Sequence, residues 1–135
     1  MSLGLYLHIP YCFSKCRYCD FYSHPGERGV PEAYVDALLR ELSRFAPEAP
    51  LQPDTLYFGG GTPSLLRPEQ AKRLIDAARP MPGAEITLEA NPETVTEESL
   101  AGFREAGVNR ISFGVQSARD SQLKTLGRPH TARQA

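Results

Sequence analysis

The stretch Tyr11-Cys12-Phe13-Ser14-Lys15-Cys16-Arg17-Tyr18-Cys19-Asp20 carries all three cysteines of the chain, spaced Cys-x3-Cys-x2-Cys directly after a short apolar run. Thiolates this crowded are a ligand set for a soft metal ion or a cluster. A disulfide framework is a poor reading, because the number is odd and the residues between are too few to close a useful loop. A structural zinc site needs a fourth ligand, which His8 or His24 offers. An iron–sulfur cluster usually takes four cysteines as well, so three leave one iron open to a substrate or cofactor.

Outward from that loop the chain alternates between two periodicities. Leu3, Leu5, Leu7 and Ile9 alternate with Gly4, Tyr6 and His8, which predicts a strand over Leu3–Ile9 that Pro10 stops. After the turn signal His24-Pro25-Gly26, Pro31 opens a helix whose apolar face is Val35, Leu38, Leu39, Leu42 and Phe45. Thr55–Gly59 is a second strand running into Gly59-Gly60-Gly61-Thr62-Pro63. A helix from Pro68 buries Ala71, Leu74, Ile75 and Ala78. A third strand, Glu85–Ala90, ends at Asn91-Pro92, and Thr96 caps a helix that closes at Gly107. A fourth strand is predicted over Arg110–Gln116, with a helix starting near Arg119.

Strand–helix four times over implies a parallel sheet with right-handed crossovers. Each strand has one aliphatic face and one face of small or polar residues, whereas a doubly wound sheet would want both faces apolar. The expected fold is therefore α/β, a partial parallel (β/α) barrel with its first four βα units. Tyr6, His8, Tyr57, Gly59, Glu89, Ser112, Gly114 and Gln116 are expected to line the lumen, polar toward the C-terminal strand ends. Four units do not close a barrel. Residues 1–135 read as the N-terminal part of a larger core domain, with later units and a C-terminal domain outside it.

Composition sets limits on function. The chain has 135 residues, about one domain. A net charge of −1 gives no electrostatic ground for a nucleic-acid or membrane partner. No apolar run approaches the ~20 residues of a transmembrane helix, and the N-terminus lacks a signal peptide's basic head. A cytoplasmic protein with reduced thiols is the expectation.

Three glycines after a strand allow close approach of a ligand to the backbone. Gly-Thr-Pro-Ser lacks the Gly-Lys-Ser/Thr ending of a phosphate loop, and a tight turn without ligand is the plain alternative. Glu89 is an inward carboxylate at a strand end, so it meets a cation or hydrogen-bond donors, or pairs structurally with Arg110 or Arg128. Gln116 and Arg128 reach toward the same mouth, while His8, flanked on its face by Tyr6, reads as a satisfied lumen histidine.

The cysteine spacing, with an aromatic residue before the last cysteine in Tyr18-Cys19, resembles the signature of the radical S-adenosylmethionine (SAM) superfamily. The resemblance implies a 4Fe-4S cluster on Cys12, Cys16 and Cys19 whose fourth iron chelates the amino and carboxylate groups of SAM. It narrows further. Leu-His-Ile-Pro-Tyr-Cys, Gly-Gly-Gly-Thr-Pro-Ser, Glu-Ala-Asn-Pro, Arg-Ile-Ser-Phe-Gly-Val-Gln-Ser and Leu-Gly-Arg-Pro-His resemble the oxygen-independent coproporphyrinogen III oxidase-like branch, from about residue 3 to residue 130. That branch implies SAM contacts at Tyr6, Tyr18, Gly60, Gly61, Thr62, Glu89, Gln116 and Arg128, with Thr62 where many members carry Glu.

Genuine coproporphyrinogen dehydrogenases of the branch carry a further cysteine two residues after the third. Here Asp20-Phe21 follows Cys19, which resembles the branch's haem-chaperone group. The resemblance implies haem as a further ligand and a haem-acceptor protein as a partner. A dehydrogenase that cleaves SAM reductively and decarboxylates porphyrinogen propionates is the alternative.

Overall fold

The computed structural model describes residues 2–12, 24–25, 29–45 and 50–135. Four parallel strands form the central sheet: β1 (Gly4–Ile9), β4 (Thr55–Gly60), β5 (Glu85–Ala90) and β6 (Arg110–Phe113), hydrogen-bonded in that order. Between β1 and β4 lie two short strands, β2 (Tyr11–Cys12) and β3 (His24–Pro25), and helix α1 (Glu32–Phe45). Helices α2 (Pro68–Ala78), α3 (Glu97–Ala106) and α4 (Asp120–Thr125) follow β4, β5 and β6 in turn.

Each sheet strand pairs with the next one in sequence, Leu7 opposite Phe58 and Phe58 opposite Leu88. When successive parallel strands are also neighbours, right-handed crossovers put every helix on the same side of the sheet. α2 accordingly packs between α1 and α3. Beneath the helices, Leu7, Ile9, Leu56, Phe58, Ile86 and Leu88 meet Val35, Leu42, Leu74, Ile75 and Phe103 in one core. Fully burying an aliphatic or phenyl side chain contributes roughly 1.5–3 kcal/mol, so this face holds the sheet to its helices. The opposite face keeps the polar and aromatic residues. This is the barrel-type arrangement of the sequence reading.

Local signals set the helix ends. Thr96 accepts from the Ser99 N–H at 3.1 Å while Ser99 Oγ accepts from the Thr96 N–H at 2.8 Å, a reciprocal cap for α3. Gly107 closes that helix with φ at 118°, a left-handed conformation that glycine adopts without strain. At α2 only one half of that device is present: Gln70 Oε1 accepts from the Arg67 N–H at 2.9 Å, while its buried Nε2 donates to the Val30 carbonyl at 2.9 Å.

Three expectations change. The fourth strand stops at Phe113 instead of continuing to Gln116. Gln116 turns into the left-handed region at φ 72°, and the carbonyls of Gly114 and Val115 accept from Arg128 and His130 instead of a neighbouring strand. Among the described residues no strand pairs with the outer edge of β6. Phe45, expected on the buried face of α1, is 73% exposed in its last turn, beyond the reach of the core. The turn at His24-Pro25 is also a two-residue parallel ladder, Tyr11 with His24 and Cys12 with Pro25. Among the described residues, no helix is long and apolar enough to cross a membrane.

Leu74→Ala empties a site of 0% exposure and is expected to cost about 2–5 kcal/mol in chemical unfolding. Phe45→Ala is expected to stay within ~0.5 kcal/mol. Thr96→Ala should lose about 1 kcal/mol that Thr96→Ser retains. A Phe45→Ala cost equal to that of Leu74→Ala would contradict the assignment of the core.

Candidate cluster and cofactor site

The C-terminal ends of β1 and β4 are laced together by their own backbone. Ile9 is in register with Gly60, the Gly61 N–H donates to the Ile9 carbonyl at 2.8 Å, and the Thr62 N–H donates to the Tyr11 carbonyl at 2.7 Å. The glycine loop thereby lies directly on the segment that leads into Cys12. A Cβ at Gly61 would stand 2.6 Å from the Tyr11 carbonyl oxygen and 2.9 Å from Cys12 Sγ, too close for any side chain. Cys12 is buried, with a free thiol that accepts from the Thr62 hydroxyl at 3.6 Å. Cys16, Tyr18 and Cys19 lie outside the described residues.

Tyr6, His8, Tyr57 and Glu89 make the wall of the lumen. The rings of Tyr6 and Tyr57 stack with centroids 6.0 Å apart, and those of Tyr6 and His8 at the same separation. The Tyr6 hydroxyl meets His8 Nδ1 at 3.1 Å, so the histidine has a partner within the wall. Both Glu89 oxygens are held: Tyr57 Oη donates to Oε1 at 2.7 Å and the Gly60 N–H donates to Oε2 at 3.2 Å. Neither Arg110 nor Arg128 forms the ion pair weighed for Glu89, since Arg110 lies 3.9 Å from Glu85 and Arg128 3.7 Å from Glu93. The bond to Glu89, and then burial, raises the Tyr57 phenol above its ordinary value, because ionising it would forfeit a donor to a carboxylate. Burial, and then the Glu89 charge, raises Tyr6 in the same direction.

Gly59 and Gly60 make room for this wall. A Cβ at Gly59 would lie 2.7 Å from the Tyr6 ring, and one at Gly60 would lie 2.6 Å from His8 Nδ1 on a backbone with φ at 120°. The glycine run is therefore a set of three separate close approaches.

Arg128 is buried, and its guanidinium donates to Asn91 Oδ1 at 2.8 Å and to the Gly114 carbonyl at 2.7 Å. Glu93 lies beyond it, meeting His130 Nδ1 at 2.9 Å, while His130 Nε2 meets the Val115 carbonyl at 3.0 Å. Gln116 is exposed on its left-handed turn, near enough that a Cβ at Gly114 would stand 3.4 Å from its amide nitrogen. Tyr6, Gly60, Gly61, Thr62, Glu89, Gln116 and Arg128 thus gather at or near the C-terminal strand ends.

Within that set, Thr62 is 3% exposed and its hydroxyl is turned onto Cys12. The sequence places Tyr57 on the lumen face without its bond to Glu89, and it assigns no site role to Asn91, Glu93 or His130. Asn91 ends the third strand and stands in the Glu-Ala-Asn-Pro motif, and its position two residues after an inward Glu at a strand end is the signal that it belongs to the mouth.

Residues 6–135 match the Radical SAM superfamily, and the chain belongs to that superfamily. It is similar to the haem chaperone HemW of Escherichia coli (strain K12), 46% identical over 139 residues, 98% of this chain and 37% of that protein. It is also similar to HemW of Mycobacterium tuberculosis, 42% identical over 95% of this chain and 35% of the relative. The bovine mitochondrial radical S-adenosyl methionine domain-containing protein 1 is 41% identical over 98% of this chain and 31% of its own length. Among solved structures, coproporphyrinogen III oxidase (HemN) from Escherichia coli, a radical SAM enzyme, superposes with a TM-score of 0.87 at 30% identity, over 98% of this chain and 32% of that one. The chain spans about a third of the length of these relatives. The superfamily implies a 4Fe-4S cluster and SAM. The donor chemistry fits: Cys12 supplies a buried soft sulfur, covered by a glycine where no Cβ fits and met by a hydroxyl donor.

Gly61→Ala should lower stability by about 1–3 kcal/mol through overpacking against Tyr11 and Cys12. It should also reduce the iron taken up on anaerobic reconstitution, measured by colorimetric iron assay. Full iron uptake with unchanged unfolding would refute the close-approach argument.

The Tyr57 phenol gives a pH test. Because its folded value is raised, the associated stability is present below the ordinary tyrosine range and is lost as pH climbs through the raised value. Glu89→Gln removes the carboxylate, so phenolate absorbance should appear at lower pH than in the unsubstituted protein, and Tyr57→Phe should delete that component. Identical titration curves for Glu89→Gln and the unsubstituted protein would show that the pairing is not formed.

Proposed function

We propose that the protein is a radical SAM 4Fe-4S protein acting as a haem chaperone, which binds haem and transfers it to an acceptor protein. The observation that carries this reading is the 46% identity to a haem chaperone along 98% of the chain, joined to Asp20-Phe21 beside the third cysteine. The structural likeness to coproporphyrinogen III oxidase keeps a second reading in play, oxidative decarboxylation of porphyrinogen propionates. At 30% identity, and without the extra cysteine, it is the weaker of the two.

In this reading Cys12, Cys16 and Cys19 ligate three irons of the cluster. Tyr6, Tyr18, Gly60, Gly61, Thr62, Glu89, Gln116 and Arg128 belong to the SAM site. A cluster held by these cysteines would supply an anchoring point for SAM and the electron that its reductive cleavage requires. The chain's own contributions follow from its donors and acceptors. The N–H groups of Gly60, Gly61 and Thr62 already donate to Glu89, Ile9 and Tyr11. What the loop can offer a ligand is therefore acceptors, which suits a cationic amino group. Tyr57 and Gly60 fix the Glu89 carboxylate as a preorganised negative charge, suited to a cofactor that carries a sulfonium and an ammonium. The stacked Tyr6 and Tyr57 rings form a flat apolar wall beside it. For Thr62 and Arg128 the support is indirect, because both side chains are engaged inside the protein.

A chaperone needs affinity for finished haem, whereas a decarboxylase needs a propionate hydrogen within reach of its radical. The full-length protein, reconstituted anaerobically with iron and sulfide, should hold about four irons per chain. Cys16→Ala should lose the brown colour. The same preparation should bind haem in a spectrophotometric titration and give no decarboxylated product from coproporphyrinogen III with SAM and a strong reductant. Multiple turnovers to protoporphyrinogen would replace the chaperone reading by the dehydrogenase one. Stoichiometric zinc without iron uptake would remove both.

A further inference from the structure

A chain of hydrogen bonds runs from the interior to the Cys12 sulfur, and its polarity is fixed at every link. A guanidinium has donors only, so the 2.8 Å contact from Arg128 Nη2 to Asn91 settles which amide atom is the oxygen. With Oδ1 facing Arg128, Asn91 presents Nδ2 to Thr62, which accepts it at Oγ1 at 3.2 Å. An amide N–H can only donate, so Thr62 cannot return its own proton to Asn91. The Thr62 side chain is buried, and among the described residues its hydroxyl donates to Cys12 Sγ at 3.6 Å. Arg128 donates to Asn91, Asn91 to Thr62, and Thr62 to the sulfur.

We propose that Thr62 is a positioning residue for the cluster: its hydroxyl, oriented by Asn91 and Arg128, donates to the Cys12 sulfur and holds the cluster's reduction potential above the value it would have without that bond. The inference rests on Cys12 being a cluster ligand, as in the reading above. A donor on a ligating sulfur stabilises the more negative, reduced cluster relative to the oxidised one, since the sulfur carries more charge after the electron arrives. Cooperative polarisation along aligned donors adds to the effect of the last bond, and Arg128 contributes a positive charge at the head of the chain. Solvent has little access to Cys12. Gly61 leaves no room for a side chain between the loop and the sulfur, and Cys12 is 6% exposed, so bulk water does not substitute for the hydroxyl.

Two substitutions test this by different routes. Thr62→Val keeps the shape and removes the proton. Asn91→Asp keeps the shape and reverses the polarity, because an aspartate accepts from both Arg128 and Thr62 and draws the threonine proton away from the sulfur. The experiment uses full-length protein reconstituted anaerobically, with iron and sulfide assayed first and the midpoint read from the electron paramagnetic resonance signal of the reduced cluster during a redox titration. Both variants are expected to titrate at more negative potential, with the reduced-to-oxidised ratio at a fixed applied potential falling on the order of tenfold, about 59 mV for a one-electron couple. Thr62→Ser should keep the unsubstituted midpoint, and Asn91→Asp should lower the midpoint less in the Thr62→Val background than in the unsubstituted protein, where it also draws the hydroxyl off the sulfur.

Full iron content with an unmoved midpoint in both single variants overturns the proposal while leaving the cluster reading intact. If Thr62→Val takes up no iron, Asn91→Asp decides, and an unchanged midpoint there overturns it. Failure of the unsubstituted protein to take up iron overturns the cluster reading and this inference together.

Discussion

The close approach of the glycine loop to the segment ending in Cys12 is the constraint on which the site depends. Two backbone hydrogen bonds, Gly61 to Ile9 and Thr62 to Tyr11, lace the end of β4 to the chain leaving β1. They form only because nothing projects from Gly61 into the space between. From that lacing the rest follows: Cys12 is covered, Thr62 is brought onto its sulfur, and the Gly60 N–H is left pointing at Glu89. A single side chain at this point would part the strands and scatter all three.

The two faces of the sheet divide the labour. The aliphatic face, fully buried at Ile9, Leu56, Phe58 and Leu88, supplies the free energy that holds β1, β4 and β5 in register under α1, α2 and α3. The polar face contributes little to stability through its exposed aromatic residues, and its order comes from pairings that only a fixed register permits. Tyr57 reaches Glu89 because adjacent parallel strands place the two near the same level. A slip of one residue would turn Glu89 into the core and Leu88 into the lumen, at a cost that the apolar face alone makes prohibitive.

A second network stands behind the first. Asn91, Arg128, Glu93 and His130 tie the ends of β5 and β6 to the segment after α4, and Arg128 and His130 take the carbonyls of Gly114 and Val115. The same contacts that end β6 early thus link the buried arginine to Thr62, and through it to the cysteine. Membership of the radical SAM superfamily and the likeness to HemN at a TM-score of 0.87 identify the fold in which this network sits.

The sequence by itself determined the order of the four sheet strands and their helices, the aliphatic and polar faces, and the caps at Thr96 and Gly107, and it named the candidate motif residues, because each is a local signal of period, turn chemistry or spacing. Leu74 and Ala78 are core for the same reason that they are legible: they recur at helical spacing. What only the tertiary structure decided is which polar groups meet. Nothing in the spacing of Tyr57 and Glu89, 32 positions apart, announces their hydrogen bond, and nothing near Asn91 announces Arg128, 37 positions on. Glu89 has Tyr57 and a backbone N–H for partners instead of an arginine, and Thr62 turns inward to a sulfur. Those choices depend on strand register and on where the chain returns after α4, both set by packing of the whole sheet. Hydrogen bonds reach about 3 Å and read only geometry, so they become visible once the fold has brought distant residues to that range.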